Sequence, residues 1–146
     1  MSAFGAEYRE KAVRLTAWTK RKLRIHMDAR TFYFAERELW WSSLGENIGD
    51  EVNGKHDVFE RPVIVLKKLS RNLFFAVPVT TQPKQGSWFY RFGFRGENRW
   101  AVLVQARVMS SKRLVRRMGN IDHATLVDIH RSLTNLIQTD PPADQG

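Results

Sequence analysis

Arg61-Pro62-Val63-Ile64-Val65-Leu66 and Val77-Pro78-Val79-Thr80-Thr81 are two apolar, largely β-branched runs, each interrupted by one proline. Runs of this composition read as strands buried on both faces. A fixed cation at the head of the first and hydroxyls at the tail of the second then meet the rim of a small β-domain. A guanidinium fork and a hydroxyl donor at one rim could hold a phosphate and neutralise its charge.

Further strands flank this pair. From Glu36 on, Leu39, Trp40, Trp41 and Leu44 make a first strand, and Arg61–Lys68 is the second. Between them, residues 45–60 form a long polar loop with three glycines, and loops of that length are functional or disordered. Leu73–Thr81 is a third strand. Gln82–Gly86 is a turn, and Trp88–Phe94 alternates as a half-exposed fourth strand does. The pattern predicts a turn at Gly96-Glu97-Asn98, a fifth strand over Trp100–Arg107, and a short sixth strand or helical turn within Val108–Arg117. Asp122 is placed to cap a final helix carrying Leu126, Ile129, Leu133, Leu136 and Ile137. Short strands with one terminal helix describe a mainly β (α+β) fold closing into a small, bent barrel. At the other end, residues 6–29 are a proline-free helix. Tyr8, Ala12, Leu15 and Trp18 form its apolar stripe, which is expected to lie against the body.

The chain of 146 residues suits one domain with an appendage, and the absence of cysteine excludes disulfides, thiolate zinc sites and a cysteine nucleophile. No apolar run approaches the roughly 20 residues of a membrane span, and cations interrupt any leader-like start. These features favour a cytoplasmic protein without a membrane partner. The formal net charge of +9 favours an anionic partner, nucleic acid or an acidic protein. Residues 1–30 alone carry eight cations against three carboxylates. His26, His123 and His130 lack partners at metal-ligand spacing, so no metal and no cofactor is expected.

Six segments in order resemble the MazF/PemK family of toxin endoribonucleases from type II toxin–antitoxin systems. They are Leu39-Trp40-Trp41 with Leu44-Gly45; Gly49-x-Glu51; Arg61-Pro62-Val63-Ile64-Val65; Val77-Pro78-x-Thr80; Leu103-x-Gln105-x-Arg107; and Lys112-Arg113-Leu114 with Gly119. The resemblance spans about residues 36–138. It implies an SH3-like barrel of five to seven antiparallel strands with a C-terminal helix, usually a homodimer, occupying residues 31–139. Residues 1–30 become a basic amphipathic extension, as in a longer PemK-like subgroup, and residues 140–146 a disordered tail. The implied activity is metal-independent, sequence-preferring cleavage of single-stranded RNA, chiefly mRNA, through a 2′,3′-cyclic phosphate, causing growth arrest. An acidic antitoxin is the implied partner, with DNA binding belonging to the toxin–antitoxin complex.

On this resemblance Arg61 contacts and stabilises the scissile phosphate and Thr80 stabilises the same charge, so these two are the candidate catalytic residues. One such aimed donor is worth roughly 3–4 kcal/mol in a transition state. Glu51, Lys55, His56, Thr81, Lys84, Gln105 and Arg107 are the candidate RNA-binding residues. The acidic residue that several relatives carry before the matching glutamine is here Val104, leaving Glu51 and His56 as substitutes for a base. The alternative is a non-catalytic binding module of the same fold, like the related toxins that trap DNA gyrase. Two roles are open for the N-terminal helix: restraining the toxin by covering its groove, or clamping RNA. Aromatics of the fourth strand, Trp88–Phe94 with Arg91 and Arg95 between them, offer a face on which bases could stack.

Overall fold

A computed structural model of the chain describes residues 2–140; the expected tail lies, from residue 141 on, outside the described residues. The elements run α1 (Ala3–Met27), β1 (Glu38–Ser43), β2 (Glu60–Lys68), β3 (Leu73–Thr80), β4 (Phe89–Phe94), β5 (Glu97–Val102), β6 (Arg107–Ser110), β7 (Leu114–Asn120) and α2 (His123–Gln138). The strands form one antiparallel sheet in the order β4-β5-β3-β2-β1-β7, with β6 pairing a separate stretch of β3. The sheet bends until its ends meet: the Arg95 guanidinium donates to the Met118 carbonyl, and Phe94 abuts Gly119. No helix is long and apolar enough to cross a membrane among the described residues.

β2 and β3 are buried along their middles, and their alternation divides the core in two. Ile64 and Leu66 join Val77, Val79 and Leu39 in a cluster that α2 covers with Leu126 and Ile129. Val63 and Val65 join Phe74, Ala76, Trp40 and Met109 in a second cluster. Backbone pairing of Val63 with Pro78 and Ile64 with Val77 sets this register.

The expected fifth strand over Trp100–Arg107 is divided. β5 ends at Val102, a single 3-10 turn spans Leu103–Gln105, and β6 begins at Arg107. The reason lies in β3, which pairs β6 through Ala76–Arg107 and β5 through Val79–Ala101. Pro78 falls between the two pairings, and a proline has no N–H to continue a ladder. The intervening turn places Gln105 and Arg107 differently from two positions on one strand. The turn expected at Gly96-Glu97-Asn98 lies at Arg95-Gly96, and the segment after Val108 holds both the end of β6 and all of β7.

α1 also departs from expectation. Of the stripe Tyr8, Ala12, Leu15 and Trp18, only Trp18 is buried, while Tyr8 is 67% exposed. The helix meets the body instead along Lys11, Arg14, Trp18, Arg21 and Ile25, a stripe with the same helical spacing. Two buried carboxylates draw it there. Glu46 receives Lys11 at 2.9 Å and Arg14 at 2.7 Å, and Glu60 lies 3.7 Å from Arg21. Ser2 caps its start by accepting from the Gly5 N–H, and Lys112 donates to the His26 and Asp28 carbonyls at its end. Asp122 occupies the N-cap position of α2, but its side chain makes no capping hydrogen bond.

Phe74 has no solvent exposure. Phe74→Ala is expected to lower the unfolding free energy by about 3–5 kcal/mol, read from urea denaturation.

Candidate functional site

The loop between β1 and β2 is long but closed by its own backbone. The Leu44 and Gly45 N–H groups both donate to the Phe59 carbonyl, Gly54 N–H donates to the Gly45 carbonyl, and Lys55 pairs with Glu60. Gly54 is obligatory, since a Cβ there would lie 1.8 Å from the Phe59 carbonyl oxygen. Asn47 ties the loop across its width. Its amide nitrogen donates to Val52 O at 2.8 Å, and its N–H donates to the Asn53 side chain at 2.6 Å.

This ordered loop forms one wall of a cleft of about 520 Å³, lined by Asp50, Val52, Lys55, Arg61, Thr80, Gln82, Lys84, Trp88, Phe89, Val102, Val104 and Gln105. The start of β2 supplies Arg61 and the end of β3 supplies Thr80, so the cation and the hydroxyl do share one cleft. Arg61 is half-buried, and its Nε donates to the Asn53 carbonyl at 2.8 Å. No carboxylate pairs with it among the described residues. Burial pushes its pKa below the ordinary arginine value. Thr80 is 6% exposed, and its hydroxyl accepts from the Gln82 N–H at 3.2 Å, leaving the hydroxyl proton free to donate elsewhere.

Lys55, Lys84 and Gln105 join these two, with the Lys84 ammonium 5.9 Å from the Phe89 ring centre. Gln105 reaches the cleft from the 3-10 turn and is fastened to the loop. Its carbonyl oxygen accepts from Val52 N–H at 3.3 Å, and its amide donates to Asp50 O at 3.1 Å. Glu51 and Arg107 line an adjoining hollow of about 320 Å³ that shares Val52, Val104 and Gln105 with the cleft. The Glu51 carboxylate accepts from Ile48 N–H at 3.0 Å. Arg107 makes no ion pair among the described residues, and its charge adds to the burial that lowers the pKa of Arg113. His56 is exposed at the loop's far side, where its carbonyl accepts from Arg14, and it does not line the cleft. Thr81 is exposed and lines neither hollow.

Trp88 and Phe89, from the stretch expected to offer a stacking face, also line the cleft, and so does Asp50, which was not among the candidate site residues. The aromatics are legible as an alternating strand start. Nothing local marks Asp50, which the closure of the loop brings in. No cluster of three or more potential metal ligands occurs among the described residues.

The fold is a small antiparallel β-sheet with a cationic cleft at its rim. Residues 35–137 match the family described as PemK-like, MazF-like toxin of type II toxin–antitoxin system. The chain belongs to that family. The search of curated proteins gave no match. Among solved structures, MazF from Deinococcus radiodurans superposes with a TM-score of 0.62 at 19% identity, covering 74% of this chain and 99% of that one. An endoribonuclease in complex with its cognate antitoxin from a mycobacterial species gives 0.57 at 14% identity, covering 75% and 100%. The Mycobacterium tuberculosis toxin MazF-mt6 gives 0.54 at 13% identity, covering 72% and 100%.

If the unpaired Arg61 holds an anion, inorganic phosphate should raise the thermal midpoint of the wild-type protein and leave that of Arg61→Ala unmoved. A ligand stabilises only the state that binds it, and differential scanning fluorimetry reads the difference.

Proposed function

We propose that the protein is a metal-independent, sequence-preferring endoribonuclease that cuts single-stranded RNA, with mRNA in the cytoplasm as its substrate. The observation that carries this is the convergence of a carboxylate-free Arg61 and the Thr80 hydroxyl on one cleft. Phosphoryl transfer accumulates charge on the non-bridging oxygens, and preorganised donors aimed at that charge lower the barrier. A guanidinium offers two parallel N–H donors, and a β-branched hydroxyl at a strand end is held by packing.

In this reading the ribose 2′-oxygen attacks phosphorus, the bond to the 5′-oxygen breaks, and a 2′,3′-cyclic phosphate forms. Asp50, the one carboxylate lining the cleft among the described residues, takes the 2′-hydroxyl proton, and the departing 5′-oxygen takes a proton from water. This gives Asp50 the role that the sequence left to Glu51 or His56. Lys55 and Lys84 draw the backbone in, and Trp88 and Phe89 offer rings on which an unpaired base stacks. Arg107 extends the basic path through the adjoining hollow. The same cationic, partly apolar cleft suits an acidic amphipathic antitoxin, in keeping with the solved neighbours that occur as complexes with theirs. A homodimer completes the reading.

Incubation with a short single-stranded RNA in EDTA is expected to give fragments ending in cyclic phosphate. Arg61→Ala and Thr80→Ala should each lower kcat by about 10²–10³-fold. Asp50→Asn should lower it by about 10²-fold. Undiminished cutting by Arg61→Ala, or intact RNA with the wild-type protein, would refute the proposal.

A further inference from the structure

α1 lies outside the segment matching the family and contributes no residue to the cleft. Its first half contacts the loop that forms the cleft wall, while Trp18 and its last turns also meet Lys112 and Arg113. Lys11 and Arg14 converge on Glu46, whose side chain is 5% exposed, and Lys11 also donates to the Asn47 carbonyl. Burial alone would raise the Glu46 pKa, yet the hydrogen bonds from Arg14 and Lys11 outweigh it and hold the carboxyl below its ordinary value.

Further along the helix, the Trp18 ring lies 5.6 Å from the Phe59 ring and against Gly45, so closely that any Cβ at Gly45 would overlap it. Arg14 stacks 4.7 Å from the Phe59 ring centre and donates to His56 O. His56 and Phe59 have φ of 59° and 57°, values uncommon for residues with a Cβ that persist where surroundings impose them. The helix packs on Phe59 through Trp18 and Arg14 and reaches the His56 carbonyl through Arg14.

From Glu46 and Asn47 the contacts run on into the cleft. The Asn47 side chain donates to the Val52 carbonyl, its backbone N–H donates to the Asn53 side chain, and the Asn53 carbonyl accepts from Arg61 Nε. We infer that α1 is a positioning strap. Lys11 and Arg14, through Glu46 and the Asn47–Asn53 staple, hold the loop so that the Asn53 carbonyl, bonded to Arg61 Nε, keeps the guanidinium in the cleft wall. Glu46, Lys11 and Arg14 are positioning residues that never touch the RNA. The inference names the regulation of the site proposed above and rests on that reading for its catalytic consequence only. A restraining lid predicts the opposite, higher activity when the helix is loosened.

The test uses the full chain with Glu46→Gln, the Lys11→Ala/Arg14→Ala double variant, and the charge exchange Arg14→Glu with Glu46→Arg. The first readout is NMR exchange of the Arg61 Nε–H with water, with amides of β2 and β3 as the control for an intact barrel. The second is RNA cleavage with kcat and KM separated. The strap predicts exchange at Arg61 Nε rising at least tenfold in the first two variants, barrel amides unchanged, kcat falling about tenfold or more with KM moving less, and recovery in the charge exchange. Unchanged Arg61 exchange in both loosened variants overturns the strap, as does a rise in kcat. Faster Arg61 exchange with unaltered kcat confines α1 to stability and also overturns it. If the wild-type protein cuts no RNA, the nuclease reading fails while the Arg61 signal still decides whether α1 positions the guanidinium.

Discussion

The burial of β2 and β3 on both faces is the constraint from which the rest follows. Val63 and Val65 with Phe74 and Ala76 fill one cluster, and Ile64 and Leu66 with Val77 and Val79 fill the other. With no solvent face along their middles, these strands carry polar groups only at their ends. Arg61 and Thr80 stand at such ends, on neighbouring strands and at the same rim. A one-residue slip in register would exchange the faces of Glu60 and Arg61, turning a carboxylate into the cleft and the cation away from it.

The charges of the molecule are sorted by the same arrangement. Each buried carboxylate has cations of its own: Glu38 pairs with Arg117 at 2.6 Å, Glu46 with Lys11 and Arg14, and Glu60 with Arg116 at 2.9 Å. Burying an ion costs free energy unless a partner offsets it, and these pairs offset it locally. Arg61 has no such partner, and the cleft holds Lys55, Arg61 and Lys84 against Asp50 alone. Of the α1 cations, Lys11, Arg14 and Arg21 face Glu46 and Glu60, whereas Lys55, Arg61 and Lys84 at the cleft make no ion pair among the described residues, which favours an anion there.

α1 shows where reading amphipathicity from a helix alone falls short. Its apolar stripe is present in the sequence, but the stripe that docks is mostly basic, with Trp18 at its centre. A helical wheel reports what a helix could bury. The surface that receives it decides what it does bury, and here that surface offers two carboxylates and the Gly45–Phe59 turn. The long loop was legible as a loop through its polarity and its glycines. Its closure runs through its own backbone and its staple joins Asn47 to Val52 and Asn53, while its hold on Gln105 and its grip by α1 link residues far apart in the chain.

By itself, the sequence determined the burial of β2 and β3 on both faces, the α2 stripe from Leu126 to Leu136 though not Ile137, which is exposed, the rim placement of Arg61 and Thr80, and membership of a family through ordered short segments. Those are matters of local composition and spacing, which alternation and turn chemistry make readable. Only the tertiary structure decided that Gln105 sits on a 3-10 turn beside the loop, that Asp50 rather than Glu51 or His56 enters the cleft, and that α1 grips the loop through ions. These outcomes depend on which non-local partners compete for a side chain, and such competition is settled when the sheet bends and the loop closes.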